Sequence, residues 1–111
     1  GPSYHQFHRG EAWCPAVNLY EDRRNYYVVV ELAGLRAEEI DVRVEGTRMV
    51  VSGIRAAPEV PGMDDQVCMH LMEIDHGRFL RTLELSPDAD TDEIEANLGR
   101  GYLNIRIPKR G

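Results

Sequence analysis

Lysine is almost missing from this chain: Lys109 stands alone beside 12 arginines. Most cationic positions therefore carry a planar fork suited to carboxylates, which favours fixed ion pairs over a lysine catalyst. Cysteine is scarce as well. Cys14 and Cys68 lie 54 positions apart, which matches neither a CxxC redox pair nor a zinc-site spacing, so both are expected as free thiols of a reducing, cytoplasmic compartment. No apolar run approaches the roughly 20 residues that span a bilayer, so no membrane partner is expected. Excess positive charge is absent too: with 19 acids against 13 bases the formal charge is -6, a field that repels phosphate backbones and argues against nucleic acid. A phosphate-cradling GxxxxGK loop followed by Ser or Thr is missing. No segment has the length and period of a three-turn helix, and there are no repeats. At 111 residues the chain has room for one domain.

What is present is a series of short strand patterns separated by turn residues. Ala16, Val17, Asn18, Leu19 and Tyr20 alternate weakly before the polar run 21–25. Residues 26–32 are β-branched and aromatic, the best strand signal in the chain. Residues 40–45 alternate apolar and charged without a fault, and Gly46-Thr47 turns the chain back into 48–54, a hairpin. Between them, 35–39 is long enough for one helical turn. Residues 55–65 hold Pro58, Pro61 and Gly62 and form a long loop. It leads into a strand-like patch, Gln66, Val67, Cys68, Met69, His70, Leu71 and Met72, which needs an edge to join. Residues 79–85 form another strand, 94–98 alternate again, and Gly99-Arg100-Gly101 turns the chain into 102–107. The five carboxylates of 88–95 read as a solvated loop. Seven or eight short strands without a long helix predict an all-β, antiparallel, immunoglobulin-like sandwich over 13–109. Residues 1–12 read as a mobile lead-in, with Gly1-Pro2-Ser3 as the scar of a cleaved tag.

Four landmarks in order carry a family resemblance. They are Pro15-Ala16-Val17-Asn18-Leu19-Tyr20-Glu21; Val29 to Leu35 followed by Glu38-Glu39-Ile40-Asp41-Val42; Gly77-x-Phe79-x-Arg81; and Ala96-x-x-x-x-Gly101-Tyr102-Leu103 before Ile107-Pro108-Lys109. With the Ser52-Gly53 ending of a middle strand, this order resembles the α-crystallin domain of bacterial-type small heat-shock proteins. Phe79, Arg81, Gly101 and Leu103 are its motif residues here. Two positions depart from the family pattern: Ala33 stands where Pro is frequent, and Ile74 replaces an Arg that follows the glutamate matched by Glu73.

The resemblance implies an ATP-independent holdase, a chaperone rather than an enzyme, that takes up partly unfolded client proteins without a cofactor. It implies a homodimer in which the 66–72 strand is laid on residues 16–20 of a second subunit, and larger homo-oligomers in a full-length protein. The family's long N-terminal arm and I-x-I/V tail are not seen, so a trimmed piece of a longer protein is expected. A groove for that tail or for clients is expected between the strands at 40–44 and 94–98, lined by Val42, Val44, Ala96 and Leu98; plain core filling is the alternative use of the same residues. A CS-domain co-chaperone that docks onto a larger chaperone is the alternative assignment. Chemical constellations are thin: His5-x-x-His8 lacks further metal ligands, and the cluster of Cys68, His70, Glu73, Asp75 and His76 lacks an inferable base and oxyanion site. Neither supports a metal or catalytic site. Trp13 and Phe79 are expected as core anchors.

Overall fold

The computed structural model describes residues 11–111. The tag-like Gly1-Pro2-Ser3, His5-x-x-His8 and most of the expected lead-in lie outside the described residues. Seven strands follow one another: β1 (Val17–Glu21), β2 (Asn25–Glu31), β3 (Ile40–Glu45), β4 (Arg48–Arg55), β5 (Gly77–Glu84), β6 (Glu95–Gly99) and β7 (Tyr102–Pro108). They form two antiparallel sheets, β1-β2-β7-β6 and β3-β4-β5. The chain is an all-β sandwich with a long loop between β4 and β5, as its alternating patterns predict.

Parity decides what is inside. In β2 and β7, Val28, Val30, Leu103, Ile105 and Ile107 are buried, and they face Met49 and Val51 of β4 and Phe79 of β5 across one core. The alternate residues of each strand point outward. Trp13 joins this core from upstream of β1, pairing as a bridge with Phe79 and setting its ring 5.4 Å from the phenyl ring.

Local chemistry explains the turns. Asp22 accepts hydrogen bonds from the backbone N–H groups of Arg24 (2.8 Å) and Asn25 (2.7 Å) and from the Tyr27 hydroxyl (2.9 Å), an Asx turn that closes the β1–β2 hairpin. Between β6 and β7, Gly99 pairs with Tyr102, and the two residues between them, Arg100 and Gly101, both have positive φ. That is the backbone a two-residue hairpin turn of matching twist requires.

Two segments differ from their sequence reading. Residues 88–95 are not simply a solvated loop: Ala89 is buried and bridged to Lys109, Asp88 accepts the Tyr26 hydroxyl at 2.6 Å, and Thr91–Glu93 form a 3-10 turn whose cap, Asp90, accepts from the Asp92 N–H. An apolar Ala89 and the short-range capping of Asp90 override the charge density. Residues 66–72 belong to no strand of the single protomer. A strand is defined by its ladder, and no edge within this protomer pairs with the segment.

Candidate functional site

The sequence-predicted residues fall into two places on the sandwich. The first is the β1 margin. β1 is an outer strand of its sheet, paired on one side with β2 from Val17↔Val30 to Glu21↔Tyr26. Leu19 shares the inward-facing parity with buried Val28, yet is 53% exposed, as is Tyr20. Ala16 and Asn18 are exposed as well. Along the β4–β5 loop, Val67, Met69 and Leu71 are 54%, 70% and 75% exposed. These three alternate in sequence, so on forming a strand they would share one apolar face. Cys68 and His70 are exposed between them, and Met72 is half-buried. The loop also curls around an open hollow of about 650 Å³, lined by its own residues from Ala57 to His76.

The second place is the opposite margin. Arg81 of β5 donates to the Pro15 carbonyl at 3.3 Å, with Cys14 Sγ 3.8 Å away, so the β5 edge lies beside the chain that enters β1. The other two outer strands, β3 and β6, are the remaining edges of the two sheets. Val42 and Val44 pair with buried Val51 and Met49, and Ala96 and Leu98 pair with buried Ile105 and Leu103. All four share the inward-facing parity. Val42, Val44 and Leu98 are only partly buried against the core, and Ala96 is exposed.

The motif residues have physical roles in this frame. Phe79 fills the core, and Gly53 faces it in the β4–β5 ladder. Gly101 has φ +83° and its ideal Cβ position lies 3.3 Å from the Ala33 Cα, while its carbonyl accepts the Leu32 N–H at 2.8 Å. Leu103 is buried. Ile74 is exposed.

One residue escaped the sequence reading. Arg55, the last residue of β4, donates from Nε (3.0 Å) and Nη2 (2.5 Å) to the Asp75 carbonyl and from Nη1 to the Ala33 carbonyl at 3.2 Å. Its guanidinium lies 4.3 Å from the centre of the Trp13 ring. Among twelve arginines nothing local marks it, because its partners are two backbone carbonyls and a ring far away in sequence.

Electrostatics around the site are those of surface pairs. Lys109 reaches Glu21 at 2.5 Å, which raises the ammonium pKa; Glu95 pairs with Arg106. The Tyr26 hydroxyl lowers the pKa of Asp88. Both cysteines are free and exposed. Among the described residues no group of three His, Cys, Asp or Glu could hold a metal ion, and no helix is long and apolar enough to cross a membrane.

A two-sheet antiparallel sandwich with a long loop inserted between the second and third strands of its smaller sheet defines an α-crystallin-type domain. The profile of the Hsp20/alpha crystallin family matches residues 18–111, and the chain belongs to that family. It is 28% identical over 97 residues to a probable 15 kDa heat shock protein of Leptospira interrogans, covering 87% of this chain and 71% of the relative. It is 26% identical to small heat shock protein C4 of Rickettsia felis, covering 97% of this chain and 64% of that protein. A solved small heat-shock protein from Xylella fastidiosa superposes with a TM-score of 0.75 at 27% identity, over 89% of this chain and 88% of that one. The chain thus spans about two thirds of the length of these two sequence relatives.

Proposed function

We propose that residues 13–109 form the core domain of a cytoplasmic, ATP-independent chaperone that holds partly unfolded clients, works without turnover or cofactor, and assembles as a strand-exchanged dimer. In that dimer 66–72 of each protomer lies on residues 16–20 of the other. The observation that carries the reading is the pairing of two incomplete surfaces: a bare outer strand with exposed Leu19 and Tyr20, and an alternating exposed row, Val67, Met69 and Leu71. Exchange gives the backbone N–H and C=O groups of both segments their ladder partners and covers the row. A two-fold axis makes the exchange reciprocal, so two such interfaces form at once.

Val42, Val44, Ala96 and Leu98 then form the groove at the far margin, where an extended apolar segment, a tail of I-x-I/V type or a client, adds along the open edges. The larger homo-oligomers expected of the full-length protein use this groove. The net charge of -6 supports the reading, because a domain that keeps apolar edges open depends on like-charge repulsion for solubility.

Light scattering of a heat-denatured client, with and without an equimolar amount of this chain and with no nucleotide, tests the activity. Scattering is expected to fall in the presence of the chain, and sedimentation is expected to give a dimer. Unchanged scattering from a monodisperse monomer overturns the proposal. Suppression that depends on ATP and a larger chaperone supports the co-chaperone alternative instead.

A further inference from the structure

The exchange reading needs each protomer to present two elements at the same time, the donated loop and the receiving edge. The geometry points to Arg55 as the residue that couples them; this inference rests on the strand-exchange proposal and goes beyond it by naming what positions the two halves.

The donated segment re-enters the sandwich at Asp75, two residues before β5 begins at Gly77. Arg55, at the loop's other root, grips the Asp75 carbonyl with two donors. The loop therefore leaves and returns through a base that one guanidinium closes. The receiving edge begins after Trp13, and the same guanidinium lies over the Trp13 ring, 4.3 Å from its centre. Trp13 is itself pinned to β5: its indole N–H donates to the Gly77 carbonyl at 3.1 Å, its backbone N–H to Arg78 at 3.0 Å, and its carbonyl accepts from Leu80 at 3.0 Å. Three residues later, Ala16 opens the receiving segment, where its carbonyl accepts the Glu31 N–H at 3.0 Å. The third donor of Arg55 ties in the β2–β3 connector at Ala33, the residue against which Gly101 packs.

A guanidinium meets these demands together because its donors are coplanar and its faces remain free to stack; an ammonium is a point donor with no face. The base is also incomplete in the lone protomer. Asp75 Oδ1 is buried with no hydrogen-bond partner among the described residues, a condition that native interiors rarely leave standing. Arg55 is thus a positioning residue: it fixes the direction in which the loop projects relative to the edge that receives the partner's loop. With a two-fold axis, misdirection of one loop weakens both interfaces.

The test compares the wild-type chain with Arg55→Lys and Arg55→Met, using Ile54→Ala as a control on the exposed neighbour. Dimer dissociation constants come from sedimentation equilibrium, protomer folding from circular dichroism and urea unfolding below the dissociation constant, and loop ordering from hydrogen exchange of 66–72. We expect Arg55→Lys to raise the dissociation constant at least about tenfold and to lose protection in 66–72 while the protomer stays folded, with the larger loss in Arg55→Met and none in Ile54→Ala; tenfold corresponds to about 1.4 kcal/mol. Wild-type dissociation constants and protection in both Arg55 variants overturn the coupling and leave the exchange reading intact. Failure of both variants to fold overturns it too, by assigning Arg55 to protomer stability alone. A wild-type chain that remains monomeric at millimolar concentration overturns the exchange reading, and the coupling with it.

Discussion

Gly53 lies beneath Phe79: a Cβ built on Gly53 would stand 2.7 Å from Phe79 Cζ and 2.2 Å from the Glu39 carbonyl oxygen. The two residues are directly paired in the β4–β5 ladder, so the ring occupies the volume that any other side chain at 53 would need. The phenyl tip is locked in the core, and the second obstacle is backbone, so neither gives way cheaply. Gly53→Ala is expected to lower stability by about 1–3 kcal/mol through overpacking, and Phe79→Ala by about 3–5 kcal/mol through the cavity it leaves. Urea unfolding checks both. A Gly53→Ala variant as stable as wild type would mean that β4 can shift away from the ring.

Acid sensitivity follows from two carboxyls. The backbone N–H groups of Asn25 and Arg24 and the Tyr27 hydroxyl hold Asp22 below its ordinary 3.8, and the Tyr26 hydroxyl does the same for Asp88. A carboxyl with a folded pKa below its unfolded one stabilises the fold fully above the unfolded value, near 3.8, and that contribution is lost as pH falls through the lowered folded value. Both groups are solvent-exposed, which keeps the effect modest. Urea midpoints at pH 7, 4.5 and 3 should fall at the acid end in wild type, and less steeply in an Asp22→Asn/Asp88→Asn double variant. Equal acid slopes would remove these two carboxyls as the cause.

How much of this was readable in the sequence depends on the range of the interactions concerned. β3 was visible to the residue, because Ile40–Glu45 alternates strictly and alternation is a local property. The Gly99-Arg100-Gly101 turn was visible because positive φ favours glycine. The strand ends moved by one or two residues where a cap or a tertiary bond decides, as at Asn25, whose N–H is held by Asp22. Ala89 was hidden by the acids around it. Arg55 could not be seen at all, since both hydrogen-bond acceptors are backbone carbonyls 20 and 22 positions away. For the candidate groove, parity placed Val42, Val44, Ala96 and Leu98 on inward faces, but which of them stays uncovered depends on how two sheets stack, and no single strand encodes that.

Strand exchange makes a prediction through the cysteines. Cys68 lies within the donated segment and Cys14 two residues before the receiving one, and both are free and exposed. Exchange brings Cys68 of one protomer to the β1 margin of the other. Mixing Cys14→Ser with Cys68→Ser and adding a short bismaleimide should give more covalent dimer than either variant alone. If the mixture yields no such dimer at concentrations where the chain sediments as a dimer, the placement of 66–72 is wrong.

The groove rests on a contrast between Ala96 and its ladder partner. Ile105 is 1% exposed, whereas Ala96 opposite it is exposed, although both lie on the same face of the sheet. The core thus covers β7 fully and β6 only at Leu98, and on β3 Val42 and Val44 are likewise only partly covered. A carboxylate on this margin can reach water in the empty protein but is desolvated when an apolar segment settles over it, so its cost falls mainly on binding. Val44→Asp and Leu98→Asp, each verified as folded by circular dichroism, are expected to weaken binding of a fluorescent I-x-I peptide at least about tenfold, the loss typical of one desolvated polar group without a partner. Peptide binding unchanged in both folded variants assigns these side chains to the core and moves the binding site elsewhere.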